Sequence, residues 1–185
     1  MKNLCNRYLI VVDVINKITG WFLALILGVM TVLIFWQVFA RFVVGSPLTF
    51  SEELSRFLMI WLAMLGSSYA LREGTLIAID LLPDAVKGKK RLIVKSLISF
   101  MVIIFSVILV VQGWEMSMTV STQIAPSTRI SMFIPMFALP IGGLLLIMNS
   151  IATLIEEIYS AKLSDKKAEK FETADLYTKT NSFNI

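Results

Sequence analysis

The sequence contains no histidine and a single cysteine, Cys5, among its 185 residues. The missing histidine excludes His-ligated haem, the usual His-containing zinc sites and His-based acid–base catalysis. A single cysteine excludes an intrachain disulfide. The sequence also has no Walker loop, no glycine-rich nucleotide fingerprint and no serine elbow. We therefore expect no catalytic residue, no cofactor and no metal site, and we do not expect an enzyme.

Charged residues are scarce as well, at 16% of the chain, whereas 57% of the residues are hydrophobic. Soluble domains are only about 45–50% apolar. The excess is gathered into four long runs, at about residues 20–40, 50–71, 92–114 and 131–155. A helix of about 20 apolar residues crosses the hydrocarbon core of a bilayer. The pattern predicts an all-α integral membrane protein with four transmembrane helices, comprising a membrane domain over 1–158 and a polar cytoplasmic tail over 159–185.

Lysine and arginine are distributed unevenly between the two sides of these spans. Fourteen of the 17 fall in the N-terminal segment, the loop after span 2 and the tail, and three fall on the other side, Arg41, Arg56 and Arg129. Positive residues collect on the cytoplasmic side of membrane proteins, so both termini are expected in the cytoplasm. The same rule accounts for the net charge of +4. We therefore expect membrane lipid, and no nucleic acid, around this chain.

The segment before span 1 has an amphipathic pattern. Apolar residues recur at helical spacing at Leu4, Tyr8, Val11, Val12, Ile15 and Ile18. Much of the opposite face is polar, at Asn3, Asn6, Arg7, Asp13, Asn16 and Lys17. This pattern predicts an N-terminal amphipathic interfacial helix that lies on the membrane surface or leads into span 1. The alternative is that the segment extends span 1 into the cytoplasm.

The start of span 2 carries a cluster of charges. Thr49 and Glu52 have the spacing of a capping box, in which the hydroxyl and the carboxylate each bond a free backbone N–H. Glu52 and Arg56 are four residues apart and are expected to pair on one face. Together with Glu53 they form either a cap and a surface ion pair, which we favour, or a polar contact with a partner subunit.

Three further features have a structural and a functional interpretation. Small residues three or four apart in span 2 predict a packing face, within the bundle or against a partner; they are Ala63, Gly66, Ser67 and Ala70. Pro135 and Pro140 are expected to kink span 4 or delay its start. Because no charged side chain lies beside them, we favour a bent packing helix over a transport site. We interpret Asp80 as a solvated acidic residue of the loop or a helix cap rather than as an ion site.

The chain contains an ordered set of short motifs across spans 1, 2 and 4. Its members are Arg41, Gly45, Pro47, Glu52, Glu53, Arg56, Trp61, Gly66, Arg72, Asp80 and Pro140. In this order and spacing they resemble the small membrane subunit of TRAP transporters, the tripartite ATP-independent periplasmic transporters. The resemblance covers about residues 15–155. Two positions depart from the family pattern, with Phe50-Ser51 in place of a tryptophan and Leu76 in place of a histidine.

The resemblance implies one part of a sodium-coupled importer. In that family a periplasmic substrate-binding protein delivers an organic acid, such as a dicarboxylate or sialic acid, to a large multi-span membrane subunit. The large subunit holds the substrate and sodium sites and moves by an elevator-like mechanism. The small subunit packs beside it in the bacterial inner membrane and enlarges its fixed scaffold. The motif residues become candidates for the subunit interface.

Two other transport readings stay open. The first is the small subunit of another tripartite carboxylate transporter, which has four spans but does not predict the Glu52-Glu53 and Gly45–Pro47 motifs. The second is a self-contained small four-helix transporter, which requires a membrane-embedded acid in span 1 that this chain does not have. An intramembrane enzyme is disfavoured by the missing histidine and nucleophile.

Overall fold

The computed structural model describes residues 2–45, 48–74, 89–156 and 158–159. The helices, in chain order, are α1 (Lys2–Phe39, followed by the π-helical turn Ala40–Val44), α2 (Thr49–Glu73), α3 (Lys89–Thr119) and α4 (Phe133–Glu156). In these ranges the only β pairing is one isolated bridge. All four helices are long and apolar enough to cross a membrane, which confirms the predicted all-α fold with four spans.

Helix α4 lies at the centre of the bundle. In its most hydrophobic 18-residue stretch 44% of the residues are buried, against 6% in the corresponding stretches of α1 and α3. The outer faces of α1 and α3 therefore expose large apolar side chains, among them Trp21, Phe35 and Phe105. Such an exposed surface suits lipid, because lipid tails are as apolar as the side chains themselves.

Glycines allow α4 to approach its neighbours closely. A Cβ added at Gly142 would lie 2.8 Å from Met64 Cβ and 3.2 Å from the Met64 carbonyl oxygen on α2. A Cβ at Gly143 would lie 3.0 Å from the Ser106 carbonyl oxygen on α3. Small residues at helix contacts of this kind provide the close van der Waals packing that holds membrane helices together. The Gly142-Gly143 pair therefore seats α4 against α2 on one side and α3 on the other.

Helix α1 is a single unbroken helix of 38 residues. At 1.5 Å per residue it is about 57 Å long, nearly twice the roughly 30 Å of a hydrocarbon core. Residues 2–19 are thus continuous with span 1. The π-helical turn that follows ends at Gly45, whose φ of 72° is a conformation that glycine adopts without strain.

The predicted capping box at the start of α2 is wrong. The helix begins at Thr49 itself, its N-cap is Leu48, and no side chain bonds the cap. Because Thr49 is already helical, its hydroxyl is not in the N-cap position. The Leu48 carbonyl instead accepts the backbone N–H of Ser51, at 3.2 Å.

The two prolines of span 4 interrupt its start, as expected. The span opens with the short helix Phe133–Met136, which contains the buried Pro135. A turn at Phe137 separates it from the rest of α4. Pro140 is also buried, and its Cδ would lie 3.1 Å from a Cβ at Gly113 on α3. The proline thus fills a packing contact between α3 and α4, as a bent packing helix requires.

Candidate functional site

At one end of the bundle Arg72 joins three helices. Its Nη1 and Nη2 donate to the two carboxylate oxygens of Glu156 on α4, at 2.7 and 2.6 Å. Its Nε and Nη2 donate to Asp13 Oδ1 on α1, at 3.0 and 2.7 Å. The Arg72 side chain is only 10% exposed, whereas the two carboxylates are about half exposed. We call Asp13, Arg72 and Glu156 the arginine clasp.

The local sequence explains why an arginine serves here. Arg72 is in the last turn of α2, where a cation is favoured by the helix dipole. Gly74 ends the helix with a φ of 64° and donates its N–H to the Ala70 carbonyl. The planar guanidinium offers several fixed N–H groups and can hold one carboxylate in a bidentate pair while bonding a second. A lysine ammonium has no such fork.

A second polar layer lies deeper in the bundle and joins the same three helices. Asn16 on α1 and Asn149 on α4 pair their side-chain amides, with Nδ2 to Oδ1 distances of 2.6 and 2.9 Å. Asn149 Nδ2 also donates to the Ser68 carbonyl on α2, at 2.8 Å. Asn16 Nδ2 completes its bonds at the Val12 carbonyl, at 2.9 Å. We call Asn16, Ser68 and Asn149 the amide layer.

The amide layer is almost completely buried. Asn149 is 0% exposed, Ser68 1% and Asn16 4%. Both N–H groups of each amide have an acceptor, so the layer avoids the cost of an unpaired polar group in an apolar medium. It closes the space between α1, α2 and α4, and with the clasp it fixes their positions relative to one another.

The arginine clasp and the amide layer show that part of the polar face of the N-terminal segment packs against the bundle, contrary to expectation. Asp13 and Asn16 were predicted on a polar face turned away from the apolar side chains, toward water. In the structure Asn16 is buried inside the bundle and Asp13, although its side chain is 58% exposed, bonds Arg72 of α2, whereas Val11 and Ile18 are more than half exposed. The reason is that lipid replaces water outside a membrane bundle, so polar groups find their partners inside. Polar residues on the amphipathic segment and on span 4 were the available signal for this network.

At the opposite end of the bundle Glu53 holds the loop between α3 and α4. Its Oε2 accepts the backbone N–H groups of Ser127 and Thr128, at 3.0 and 2.7 Å. Its neighbours Glu52 and Arg56 form the predicted i,i+4 ion pair at 3.1 Å, with both side chains more than half exposed. The three charges therefore divide into an internal anchor and an exposed pair.

The packing residues of α2 differ from the predicted small-residue stripe. Ala63 and Ser67 are exposed, so the stripe as a whole is not buried within the bundle. Gly66 is nearest to Leu23 of α1, whose Cδ2 would lie 4.0 Å from an added Cβ. Trp61 instead points toward α4 and donates its Nε1–H to the Ile134 carbonyl at 3.2 Å. The small residues at the α2–α4 contact are Ser68 on α2, outside the predicted stripe, and Gly142 on α4.

The remaining predicted interface residues are placed as follows. Arg41 is exposed in the π-helical turn after α1, and Gly45 caps that turn. Pro47 and Asp80 lie outside the described residues. Among the described members of the predicted set, Arg72 lies at one end of the bundle and is mostly buried, and Arg41 and Arg56 are exposed at the other end. Trp61, Gly66 and Pro140 lie within the spans. A role for them at a subunit interface stays a prediction.

Replacing Asn149 with leucine is expected to lower the free energy of unfolding by about 1–2 kcal/mol, because Asn16 and the Ser68 carbonyl lose their buried partner. The measurement is unfolding of the purified chain in mixed micelles, followed by helix content. Thr31→Val is the control, since the Thr31 hydroxyl bonds only the Leu27 carbonyl of its own helix and is exposed. Equal stability of the two variants would show that the amide layer contributes nothing.

Replacing Glu53 with glutamine keeps the shape of the side chain, but it leaves one acceptor oxygen instead of two and removes the charge. Hydrogen bonds to an ionised acceptor are stronger than neutral ones. Amide exchange at Ser127 and Thr128 should therefore speed up several-fold, with little change at Asn149. The Glu52→Gln variant is the matched control, because its carboxylate bonds only Arg56 in the described structure. Unchanged exchange in Glu53→Gln would contradict the anchoring role.

Fold and site together define a class of protein. The described chain is a four-span membrane bundle whose interior is joined by polar bonds and whose outer helices are apolar. It shows no group of three or more His, Cys, Asp or Glu residues that could hold a metal, among the residues described. This is the architecture of an integral membrane helix bundle.

The comparisons with known proteins identify the family. The family model described as Tripartite ATP-independent periplasmic transporters, DctQ component, matches residues 30–159, well over half of the chain. The chain belongs to this family, the small permease subunits of TRAP transporters. It is accordingly a transport component rather than an enzyme, and a multi-pass protein of the bacterial inner membrane.

Three relatives are similar along most of their length. A TRAP transporter small permease protein of Haemophilus influenzae is 28% identical over 145 residues, covering 78% of this chain and 90% of its own. The ectoine TRAP transporter small permease protein of Halomonas elongata is 28% identical, covering 79% and 77%. The sialic acid TRAP transporter small permease protein of Vibrio cholerae is 24% identical, covering 72% and 75%.

Proposed function

We propose that this chain is the fixed scaffold subunit of a sodium-coupled TRAP transporter that imports an organic acid delivered by a periplasmic binding protein. On this proposal the chain binds neither substrate nor sodium. A large multi-span subunit carries both, and the small subunit anchors it in the lipid. The relatives are named for different solutes, sialic acid and ectoine, so the small subunit accompanies more than one cargo in this family.

The observation that carries the proposal is the set of hydrogen bonds and ion pairs that join the helices inside the bundle. The arginine clasp and the amide layer bond α1, α2 and α4 to one another at two successive levels. An alternating-access transporter needs helices that separate around a central solute site. Here separation would leave buried amides and an arginine without partners, at a cost of several kcal/mol. A bundle of this kind suits a static support.

The exposed surface supports the same role. Large apolar side chains cover the outer faces of α1 and α3, including Val32, Trp36 and Ile93. This surface is available both to lipid and to the large subunit. Arg72 and Glu156 lie at the ends of their helices, and Asp13, which lies well inside α1, is paired with Arg72. A scaffold between lipid and a membrane partner requires apolar flanks of this kind.

The clasp end of the bundle is placed in the cytoplasm by this proposal. Fourteen of the 17 lysines and arginines lie in segments on that side, and positive residues are retained in the cytoplasm. The loop between α3 and α4, with Arg41 and Arg56, is then periplasmic. A binding protein arriving from the periplasm would meet that end.

The first test is purification of the chain from native membranes with a tag on the tail, followed by mass identification. A large multi-span subunit recovered at about one to one supports the scaffold proposal. Recovery of the chain alone, or of a homodimer that moves solute in liposomes, would replace it with a self-contained small transporter. The solute bound by the accompanying periplasmic protein then names the substrate.

A further inference from the structure

The segment between α3 and α4 is folded into a tight, internally bonded loop. The Ala125 N–H donates to the Ile130 carbonyl at 2.9 Å, and the Met132 N–H donates to the Gln123 carbonyl at 2.9 Å. Ile124 and Ser131 form an antiparallel bridge. The Ser131 hydroxyl donates to the Ser121 carbonyl at 2.8 Å. Residues 121–131, which we call the outer loop, therefore have a defined backbone.

Two contacts tie the outer loop to the bundle. Glu53 on α2 accepts the N–H groups of Ser127 and Thr128, and Ala125 within the loop is 0% exposed. A carboxylate that accepts two backbone N–H groups forms charge-assisted bonds, which are among the stronger hydrogen bonds in proteins. The loop tip is thus held in position on α2.

Arg129 at the tip of this loop has a strained backbone. Its φ is 54°, and it is the one non-glycine residue with positive φ in the described part of the chain. Its N–H donates to the Ala125 carbonyl at 3.0 Å, which fixes that conformation. Glycine or asparagine adopts it more easily than arginine. Strain of this kind, held by surrounding bonds, is frequent where a side chain must be presented to a ligand.

The Arg129 side chain is exposed and has no ion pair or hydrogen bond to another described residue. The carboxylates near it on α2 are already in use, because Glu52 pairs with Arg56 and Glu53 bonds the loop backbone. The guanidinium therefore keeps its N–H donors for a partner. The chemistry that it recognises best is a carboxylate, which it can bind through two parallel hydrogen bonds.

The position of the outer loop favours a water-soluble partner over lipid. Trp114 on α3 is half exposed and has the amphipathic character of residues at the membrane interface. Helix α3 continues for five residues beyond it, to Thr119. At 1.5 Å per residue this raises the loop by roughly 7–8 Å above the tryptophan. The exposed residues of the loop are mostly polar, among them Thr122, Gln123 and Ser127, and they include one large apolar side chain, Ile124.

We propose that the outer loop is a docking element that presents Arg129 to an acidic patch on the periplasmic substrate-binding protein. The proposal rests on the proposed function, which places this end of the bundle in the periplasm and supplies the partner. Glu53 is the positioning residue, since it holds the loop but does not face the partner. The strain at Arg129 is the cost of fixing the guanidinium at the loop tip.

The experiment uses the wild-type complex with its large subunit in nanodiscs, and the periplasmic binding protein recovered with it. Arg129→Asn and Arg129→Gly remove the charge while relieving the backbone strain, so the melting temperature should stay the same or rise. Affinity for the binding protein should fall about threefold to tenfold, with a weaker dependence on salt. Arg129→Lys should keep part of the affinity, and Arg129→Glu should lose more than either neutral variant.

Three results would overturn the proposal. Full affinity of Arg129→Asn and Arg129→Gly, with a wild-type complex that binds, removes the docking role and leaves the proposed function intact. A loss seen in discs containing phosphatidylglycerol but not in phosphatidylcholine discs assigns Arg129 to an anionic lipid headgroup. Absence of any binding by the wild-type complex means that the proposed function itself fails, and the docking role with it.

Discussion

Replacing Arg72 with alanine is expected to lower the free energy of unfolding by about 2–4 kcal/mol, because it leaves Asp13 and Glu156 without their common partner. The side chain is 10% exposed and bonds both carboxylates, so its removal breaks contacts among α1, α2 and α4 together. The measurement is reversible unfolding of the purified chain in mixed micelles, followed by tryptophan fluorescence. Arg72→Lys should recover only part of the loss, since lysine cannot form the bidentate pair.

Arg56→Ala is the matched control for this experiment. Arg56 also pairs with a glutamate, but its side chain is 68% exposed and the Glu52 side chain 58%. Exposed i,i+4 pairs of this kind contribute about 0.3–0.5 kcal/mol. A loss of similar size in Arg72→Ala and Arg56→Ala would mean that the clasp does not stabilise the bundle.

Replacing Gly142 with alanine is expected to cost about 1–3 kcal/mol, as overpacking of a close contact does. The new Cβ would lie 2.8 Å from Met64 Cβ and 3.2 Å from a backbone oxygen, and that backbone belongs to the α2 helix. The helices must therefore separate, which also stretches the amide layer, about one turn further along α2 at Ser68 and about two turns along α4 at Asn149. Unfolding in the same micelles measures the effect.

Gly28→Ala is the control for the substitution itself. A Cβ at Gly28 has nothing within 4 Å, because this residue lines a shallow apolar groove on the outer face of α1. Alanine favours a helix over glycine by up to about 1 kcal/mol, so this variant should be as stable as wild type or more so. If both variants were equally stable, the close α2–α4 contact would not be a requirement of the fold.

The spans could be predicted from the sequence because each rests on a local property. Four apolar runs of sufficient length are enough to predict four helices, and each observed span overlaps its expected run. The Glu52–Arg56 pair was predictable for the same reason, since i,i+4 spacing brings two side chains together on any helix. The interruption near Pro135 follows from the missing N–H of proline.

The polar interior could not be derived from local patterns. The partners of Asp13 and Asn16 depend on which helices lie beside α1. Helical periodicity alone does not say whether a polar face contacts water or a neighbouring helix. Asn149 and Ser68 are likewise polar residues in apolar spans, paired only through the tertiary fold. The anchoring role of Glu53 depends on a loop 74 residues away in the chain.

Uptake by reconstituted membranes tests the central claim of a scaffold subunit most directly. Proteoliposomes holding the large subunit with this chain, the large subunit alone, or this chain alone are supplied with the binding protein, its bound solute and an inward sodium gradient. The account predicts sodium-dependent uptake with both subunits and none with this chain alone. Uptake by this chain alone would contradict the account, because it would place the transport path inside the bundle that the clasp and the amide layer close.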